Sequence, residues 1–233
     1  MALTRVHPDR AVVDVDGLLE GFEPGATAPA GRPAVALNFV VSVDGRATVQ
    51  GASAGLSPAA DRRLFHGLRG RFDAILAGTG TLRKEDYGRL VKDGARRAAR
   101  GGRGLAGDPL AVVLSRSGAV PDVPMLRDPE QPSVVLTGED AEPVPALRRL
   151  RVDHGVRSLL CEGGPTLARG LLAAGVVDEM FVCLSPMLVG GDPPLPLLRG
   201  ANLDPPAHLE LVWVAEADAA LFLRYRVVRG SSA

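Results

Sequence analysis

Two glycine-rich junctions in the sequence combine main-chain freedom with groups that favour phosphate binding. The first, Gly78–Thr81, follows the short apolar run Asp73–Ala77, and the second, Gly163–Thr166, follows the run Arg157–Cys161. Glycine lets the main chain approach a ligand closely, and free amides at the start of a helix attract an anion. The first junction lacks the full spacing of the G-x-G-x-x-G fingerprint, so a plain turn remains an alternative there.

Polar groups at the ends of apolar runs are further candidates for chemistry. Glu162 precedes the second glycine pair, where its carboxylate would point toward a substrate; solvation at the surface is the alternative. Ser115 and Arg116 suit a phosphomonoester, such as the 2′-phosphate that distinguishes NADPH from NADH, although an ordinary loop explains them too. Asp44 could orient or protonate a substrate, or it could be a turn residue beside Gly45.

Composition narrows the classes of partner. The 233 residues carry 27 basic and 27 acidic side chains, so the positive charge that nucleic-acid binding needs is absent, and we expect a small-molecule substrate. The histidines and cysteines do not occur at the spacing of metal ligands, so we expect no metal. No apolar stretch approaches the ~20 residues that span a bilayer, and the N-terminus lacks the pattern of a signal peptide. We therefore expect no membrane contact and a cytoplasmic location.

Apolar runs predict about eight strands. They are Ala34–Val43, Asp73–Ala77, Leu110–Leu114, Ser133–Thr137, Arg157–Cys161, Glu179–Leu184, His208–Val214 and Ala219–Val228. Helical segments separate the early strands, and the last two strands alternate apolar and polar residues, as an antiparallel pair at a sheet edge does. The predicted fold class is α/β, with a mostly parallel sheet, an antiparallel C-terminal edge and flanking helices. Ligands of such sheets gather at the carboxyl ends of strands, where both junctions fall. We therefore expect the two junctions to converge and to bind one pyrophosphate.

The chain is expected to divide into an N-terminal extension, residues 1–33, and a main domain, residues 34–233. Within the extension, Val12–Phe22 predicts a short helix and Pro24–Pro33 a linker. Within the main domain, Lys92–Gly107 carries a cluster of arginines among glycine and alanine. This segment predicts a long solvated loop or, alternatively, a mobile lid or a phosphate contact.

Several segments form an ordered set that is specific as a whole. They are Val41–Arg46, Leu68–Arg69, Asp73–Arg83, Glu85–Gly88, Glu162–Leu167, Val177–Met180 and Pro186–Gly190. The set resembles the reductase domain of bifunctional riboflavin-biosynthesis enzymes, the RibD C-terminal domain family, in its order along the chain. The resemblance covers about residues 35–228 and implies a fold like that of dihydrofolate reductase.

The resemblance implies a reaction and a role for particular residues. The reaction is an NADPH-dependent reduction of a 5-amino-6-(5-phosphoribosylamino)uracil, in which hydride reaches ribose C1′ and a ribityl chain results. By position, Glu162 and Asp44 would meet the heterocycle as the catalytic candidates, and Ser53 and Arg69 would bind the substrate phosphate. Together with the glycine junctions, the expected cofactor contacts are Gly78, Thr79, Gly80, Thr81, Glu85, Ser115, Arg116, Gly163, Gly164, Pro165, Thr166 and Leu167.

Other functions stay open at this point. The shared fold and Asp44 leave a dihydrofolate or other pterin reductase as an alternative, because fold alone does not decide the substrate. A non-catalytic NADPH-binding paralogue is a second alternative, and the retention of both glycine junctions argues against it. The deaminase half of the bifunctional enzymes is not expected, because no P-C-x-x-C zinc signature occurs in the sequence. The run Glu179–Leu184 is apolar on both faces and needs cover on each side, so we expect a homodimer; an internal helix that supplies the same cover is the alternative.

Overall fold

A computed structural model describes residues 2–85, 87–192 and 195–228. The chain forms two compact units, each built from separated stretches of sequence. The terminal unit comprises the residues up to Gly21, Ala36–Gly67 and the residues from Pro165 onward. The central unit comprises Phe22–Val35 and Leu68–Gly164.

Ten strands occur in the described residues, two more than the sequence predicts. They are β1 (Leu3–His7), β2 (Ala11–Val13), β3 (Ala34–Ser42), β4 (Ala74–Gly78), β5 (Leu110–Ser115), β6 (Ser133–Thr137), β7 (Ser158–Cys161), β8 (Glu179–Ser185), β9 (His208–Ala217) and β10 (Ala220–Val228). The eight predicted strands are confirmed to within about three residues at each end. The two additional strands, β1 and β2, lie in the region expected to be an extension. The α/β fold class is confirmed.

The strands of the central unit lie in the order β7-β4-β5-β6, and all of their pairings are parallel. Their apolar runs are continuous because both faces are covered, and Ala111, Val112 and Val113 of β5 are 0% exposed. The parallel register pairs Leu76 of β4 with Cys161 of β7. The carboxyl ends of β4, β5 and β7 therefore lie at the same edge, where the strand-end residues of the sequence analysis are found.

The strands of the terminal unit lie in the order β2-β1-β9-β10-β8-β3. Only the β3–β8 pairing is parallel among those recorded for this unit, and it runs from Ala36↔Glu179 to Ser42↔Ser185. The antiparallel pairing of β9 with β10 is confirmed, but the prediction that this pair forms the edge is wrong. β1 pairs with the outer side of β9, as in Thr4↔Glu216, so the N-terminal strands satisfy main-chain groups that an edge would leave open.

Helices connect the strands. The α-helices are α1 (Val15–Leu18), α2 (Ala59–Arg69), α3 (Thr79–Leu82), α4 (Gly94–Gly102), α5 (Pro124–Arg127), α6 (Pro143–His154) and α7 (Pro165–Ala173), and short 3-10 helices span Pro24–Thr27 and Gly138–Ala141. The short helix expected near the N-terminus is present as α1.

The arginine-rich segment is helical rather than a solvated loop, which corrects the main expectation for it. α4 occupies most of the segment and begins where the Asp93 carboxylate accepts a hydrogen bond from the Arg96 amide at 3.0 Å. Aspartate is a favourable N-cap because it satisfies an amide that the first turn leaves free. Arginine and alanine then favour the helix enough to offset its glycines.

A glycine allows the N-terminal residues of the terminal unit to pack against α2. A Cβ on Gly67 would lie 2.5 Å from Cγ1 of Val15, which is closer than real side chains approach. Helix α1 is therefore in direct contact with the main chain of α2, and Leu18 and Leu19 are 4% and 0% exposed. The N-terminal residues belong to the core of this unit.

Candidate functional site

The second glycine junction has a main-chain conformation that only glycine adopts easily. β7 ends at Cys161, and after Glu162 the chain turns through Gly163 at φ +126° and Gly164 at φ +93° before α7 begins. A side chain at either position would be strained. The turn therefore presents bare main chain at the carboxyl edge of the central unit.

The two glycine junctions converge, as the sequence predicts. The Gly78 amide donates a hydrogen bond to the Gly163 carbonyl at 3.4 Å. A Cβ on Gly163 would lie 3.6 Å from the hydroxyl oxygen of Thr81. The convergence follows from the parallel pairing of β4 with β7, which brings the two strand ends together. That the junctions bind a pyrophosphate stays a prediction.

The first junction continues β4 directly into α3. Gly78 is the N-cap, and Thr79, Gly80 and Thr81 form the helical turn, whose Leu82 is buried. The Thr81 carbonyl accepts hydrogen bonds from the amides of Lys84 and Glu85, at 3.0 and 2.9 Å. The main chain of Glu85 is thus held beside the junction where its cofactor role was expected.

A buried ion pair lies directly before the second junction. Nε and Nη2 of Arg69 donate to the two carboxylate oxygens of Glu162, each at 2.6 Å. The Arg69 and Glu162 side chains are 9% and 1% exposed. Arg69 also donates from Nη1 to the Leu90 carbonyl at 2.9 Å. Arg69 is therefore bound to Glu162 and Leu90 rather than open to a phosphate, and the substrate-phosphate role expected for it does not match this geometry.

Tyr87 completes this cluster, although it is not among the site residues predicted from the sequence. Its hydroxyl donates to Oε2 of Glu162 at 3.1 Å, and its ring centroid lies 5.6 Å from the guanidinium carbon of Arg69. Burial, followed by the charge of Glu162, raises the pKa of Tyr87 well above its usual value, so the hydroxyl remains a donor. The signal that could have found Tyr87 is its place two residues after Glu85 in the matching segment Glu85–Gly88.

The segment after β5 carries Ser115 and Arg116, and its cation is largely exposed. The Ser115 hydroxyl donates to the Ala119 carbonyl at 2.7 Å and is buried. The Arg116 side chain is 74% exposed and pairs with Glu142 at 2.6 Å. Because an exposed ion pair contributes little free energy, Arg116 can exchange this partner for another anion. Of the two residues, Arg116 is the one available to a ligand.

Asp44 lies in the terminal unit and holds a loop. Its carboxylate accepts hydrogen bonds from the Ser42 hydroxyl at 2.5 Å and from the amides of Val189 and Gly190, at 3.1 and 2.7 Å. The Ser42 hydroxyl and then these amides hold the pKa of Asp44 well below its usual range. Asp44 is therefore ionised at neutral pH, which argues against the proton-donor role that the sequence allowed and leaves an orienting role.

The remaining predicted residues also lie in the terminal unit. Ser53 is partly exposed in the turn before α2, and its carbonyl accepts from the Leu56 amide at 2.9 Å. Pro165, Thr166 and Leu167 form the first turn of α7. Among the described residues, no cluster of three or more histidine, cysteine, aspartate or glutamate side chains could hold a metal ion. None of the helices in the described part of the chain has the length and apolar character needed to cross a membrane.

Residues 33–220 match the family model of the RibD C-terminal domain. The chain belongs to this family. It is similar to a 2,5-diamino-6-ribosylamino-4(3H)-pyrimidinone 5′-phosphate reductase of Methanothermobacter thermautotrophicus, with 31% identity over 194 residues. That match covers 74% of this chain and 87% of that protein. It is also similar to the riboflavin biosynthesis protein RibD of Mycobacterium tuberculosis, with 36% identity over 163 residues, 69% of this chain and 44% of that protein. The match thus spans less than half of RibD.

Solved structures share the fold of this RibD C-terminal domain. A pyrimidine reductase-like protein from Corynebacterium diphtheriae superposes with a TM-score of 0.72 at 22% identity, covering 94% of this chain and all 100% of that one. RibD from Acinetobacter baumannii superposes with a TM-score of 0.70 at 22% identity, covering 92% of this chain and 63% of that one. At these identities the likeness concerns the fold.

Replacing Gly163 by alanine is expected to lower the free energy of unfolding by about 1–3 kcal/mol, because its φ of +126° is strained for any residue with a Cβ. Urea unfolding followed by circular dichroism measures the change. Gly80→Ala is the control, since a Cβ there meets nothing within 4 Å and alanine favours the helix. An equal decrease in the free energy of unfolding in the two variants would contradict the assignment of strain to the second junction.

Replacing Arg69 by methionine is expected to lower the free energy of unfolding by about 3–5 kcal/mol, because it leaves the Glu162 carboxylate buried without its cation. The matched control is Arg226→Met, which breaks a pair with Glu210 whose side chains are 57% and 58% exposed. This control should change the urea midpoint far less. A loss at Arg69 no greater than at Arg226 would show that Glu162 is solvated when its partner is removed.

Proposed function

We propose that this chain is an NADPH-dependent reductase of a ribosylaminopyrimidine phosphate, of the 5-amino-6-(5-phosphoribosylamino)uracil reductase type, in riboflavin biosynthesis. The observation that carries the proposal is the meeting of the two glycine junctions at the carboxyl edge of a parallel sheet. Membership of the RibD C-terminal domain family and likeness to an archaeal pyrimidinone phosphate reductase support the substrate class. The proposed product carries a ribityl chain in place of the ribosyl ring.

The converging junctions fit the diphosphate of a dinucleotide. Gly163 and Gly164 have positive φ, so no side chain covers the main chain there, and the Thr81 hydroxyl lies beside Gly163. Bare main chain and a hydroxyl are the groups that approach phosphate oxygens most closely. When bound, the nicotinamide supplies hydride, and the work of this chain is to hold the reactants in position.

Arg116 is proposed to select NADPH over NADH. Its guanidinium stands at the carboxyl end of β5 and is free to leave Glu142, since both side chains of that pair are exposed. A planar guanidinium binds a phosphomonoester through two parallel hydrogen bonds. The buried Ser115 hydroxyl, which donates to Ala119, is proposed to support the loop that carries Arg116.

The Arg69–Glu162–Tyr87 cluster is proposed to orient the site rather than to transfer protons. Three donated hydrogen bonds converge on the Glu162 carboxylate, and two of them come from a cation. Such a carboxylate has little capacity left to accept a hydrogen bond from a substrate. Its proposed role is to set the position of the glycine turn that follows.

The substrate contacts of Asp44 and Ser53 stay proposals, with Asp44 acting as a charged acceptor. We also propose a homodimer and a cytoplasmic location. Support for pairing comes from exposed apolar side chains on β9 and β10, since Leu209, Leu211 and Leu221 are 43%, 37% and 39% exposed. Exposed apolar side chains on one strand pair favour burial against another protein surface.

Purified protein incubated with NADPH and the pyrimidine phosphate is expected to lose absorbance at the nicotinamide band, with a ribityl product. Dihydrofolate should give no turnover in a parallel reaction. Turnover with dihydrofolate alone would replace the proposal by a pterin reductase. If neither substrate reacts and NADPH does not raise the melting temperature, the chain is not an NADPH enzyme, because any ligand of the folded state stabilises it.

Arg116→Ala is expected to weaken NADPH binding by about tenfold, equivalent to ~1.4 kcal/mol, and to leave NADH binding unchanged. Calorimetric titration with each cofactor measures the difference. Arg127→Ala is the matched control, because Arg127 also lies in an exposed pair of the central unit, with Asp122 at 3.2 Å. Equal weakening of both cofactors would remove Arg116 from the 2′-phosphate site.

A further inference from the structure

One buried arginine stands outside the site described above. Arg100 lies in the last turn of α4 and is 0% exposed, whereas Arg96 and Arg103 near it are exposed. Arginines that are fully buried are as a rule paired with a carboxylate. Among the described residues Arg100 forms no ion pair within 4.0 Å, so a different interaction must account for its place.

The guanidinium of Arg100 binds main-chain carbonyls at the end of α2. Nη1 donates to the carbonyls of Arg69 and Phe72, the second at 2.8 Å, and Nε donates to the Ala106 carbonyl at 2.8 Å. Arg69 is the last residue of α2. The final carbonyls of a helix lack partners within the helix and carry partial negative charge, so a cation there satisfies both needs.

Stability alone is a poor explanation for this arrangement. Burial lowers the pKa of Arg100 to about 10, so the side chain is still charged at neutral pH. Its Nη2 has no hydrogen-bond partner among the described residues. A buried charge with an unsatisfied donor costs free energy, which offsets part of what the three hydrogen bonds of Arg100 contribute. What the guanidinium adds is geometry, because it fixes the main chain at the end of α2.

The contacts of Arg100 connect to the candidate site through Arg69. Arg100 holds the main chain of Arg69, and the Arg69 side chain in turn holds both oxygens of Glu162 at 2.6 Å. Glu162 directly precedes Gly163, where the two glycine junctions meet. A small shift of the end of α2 would be transmitted along the Arg69 side chain to this carboxylate.

We propose that Arg100 is a positioning residue, which fixes the main chain of Arg69 so that Arg69 holds Glu162 and the glycine turn in place. The expected effect of Arg100 on turnover rests on the proposed function. Its expected effect on the main chain rests only on contacts within the central unit. Arg100 touches neither substrate nor cofactor in this proposal. It acts through Arg69.

The kinetic test compares Arg100→Met and Arg100→Lys with Arg103→Met, a control at the C-cap of the same helix that changes an exposed arginine. Arg100→Met is expected to lower kcat by on the order of 10- to 100-fold at a temperature well below its melting midpoint, because small displacements in an active site cost rates of this size. Arg100→Lys should recover part of the loss, since its ammonium can still donate to a carbonyl. An unchanged kcat per folded molecule, with only a lower melting midpoint, would overturn the proposal.

Hydrogen–deuterium exchange tests the same chain of contacts without cofactor, substrate or turnover. In Arg100→Lys, the Glu162 and Gly78 amides, which donate to Leu76 and Gly163, should exchange about tenfold faster than in the wild type. The Ala111 amide of β5, which donates to Pro132 at 2.8 Å, should keep its rate. Uniform acceleration, or none, would overturn the proposal. If the wild type fails to reduce the pyrimidine phosphate, the proposed function falls while the exchange result still decides the role of Arg100.

Discussion

The geometry of the candidate site depends on the buried carboxylate of Glu162. A buried carboxylate needs hydrogen-bond donors in place of water. The Glu162 side chain is 1% exposed, and Arg69 and Tyr87 donate to it. Desolvation offsets most of the attraction in such a pair, so its net contribution to stability is small. The pair instead fixes the relative positions of three elements, because they all meet at the Glu162 carboxylate. These elements are the end of α2, the end of β7 and the segment after α3. The glycine turn begins at the next residue.

Strand pairing determines the position of the glycine turn as much as the Glu162 carboxylate does. β4 lies between β7 and β5 in parallel register, so the strands end together and the Gly78 amide reaches the Gly163 carbonyl. Adjacent positions in this turn therefore have opposite structural requirements. Position 162 must be charged and buried, whereas positions 163 and 164 must lack side chains because their φ angles are positive. These requirements explain the order Glu-Gly-Gly in the sequence.

Local patterns in the sequence predicted the strands and the meeting of the junctions, because continuous apolar runs and strand-end glycines are short-range signals. β1 and β2 escaped prediction because they are short, with five residues of mixed polarity in β1 and three residues in β2. α6 escaped prediction because the prolines in its first turn suggest a loop, although proline is tolerated there. The pairing of Arg69 with Glu162 joins residues 93 positions apart, and no local pattern encodes it. For the same reason the sequence did not show that Glu162 holds the Arg69 side chain, which was expected to bind the substrate phosphate, and Tyr87 was overlooked. Side-chain partners at a site depend on tertiary geometry that spacing does not contain.

The strand order of the terminal unit bears on how two copies of this chain could associate. The outermost strand beyond β9 is β2, which has three residues, so few main-chain groups are offered for another strand to join. Long β9 would be an attractive template for such growth, and β1 pairs with its outer side from Val214 to Glu216. At this end of β9, the addition of a strand from another copy is thereby discouraged.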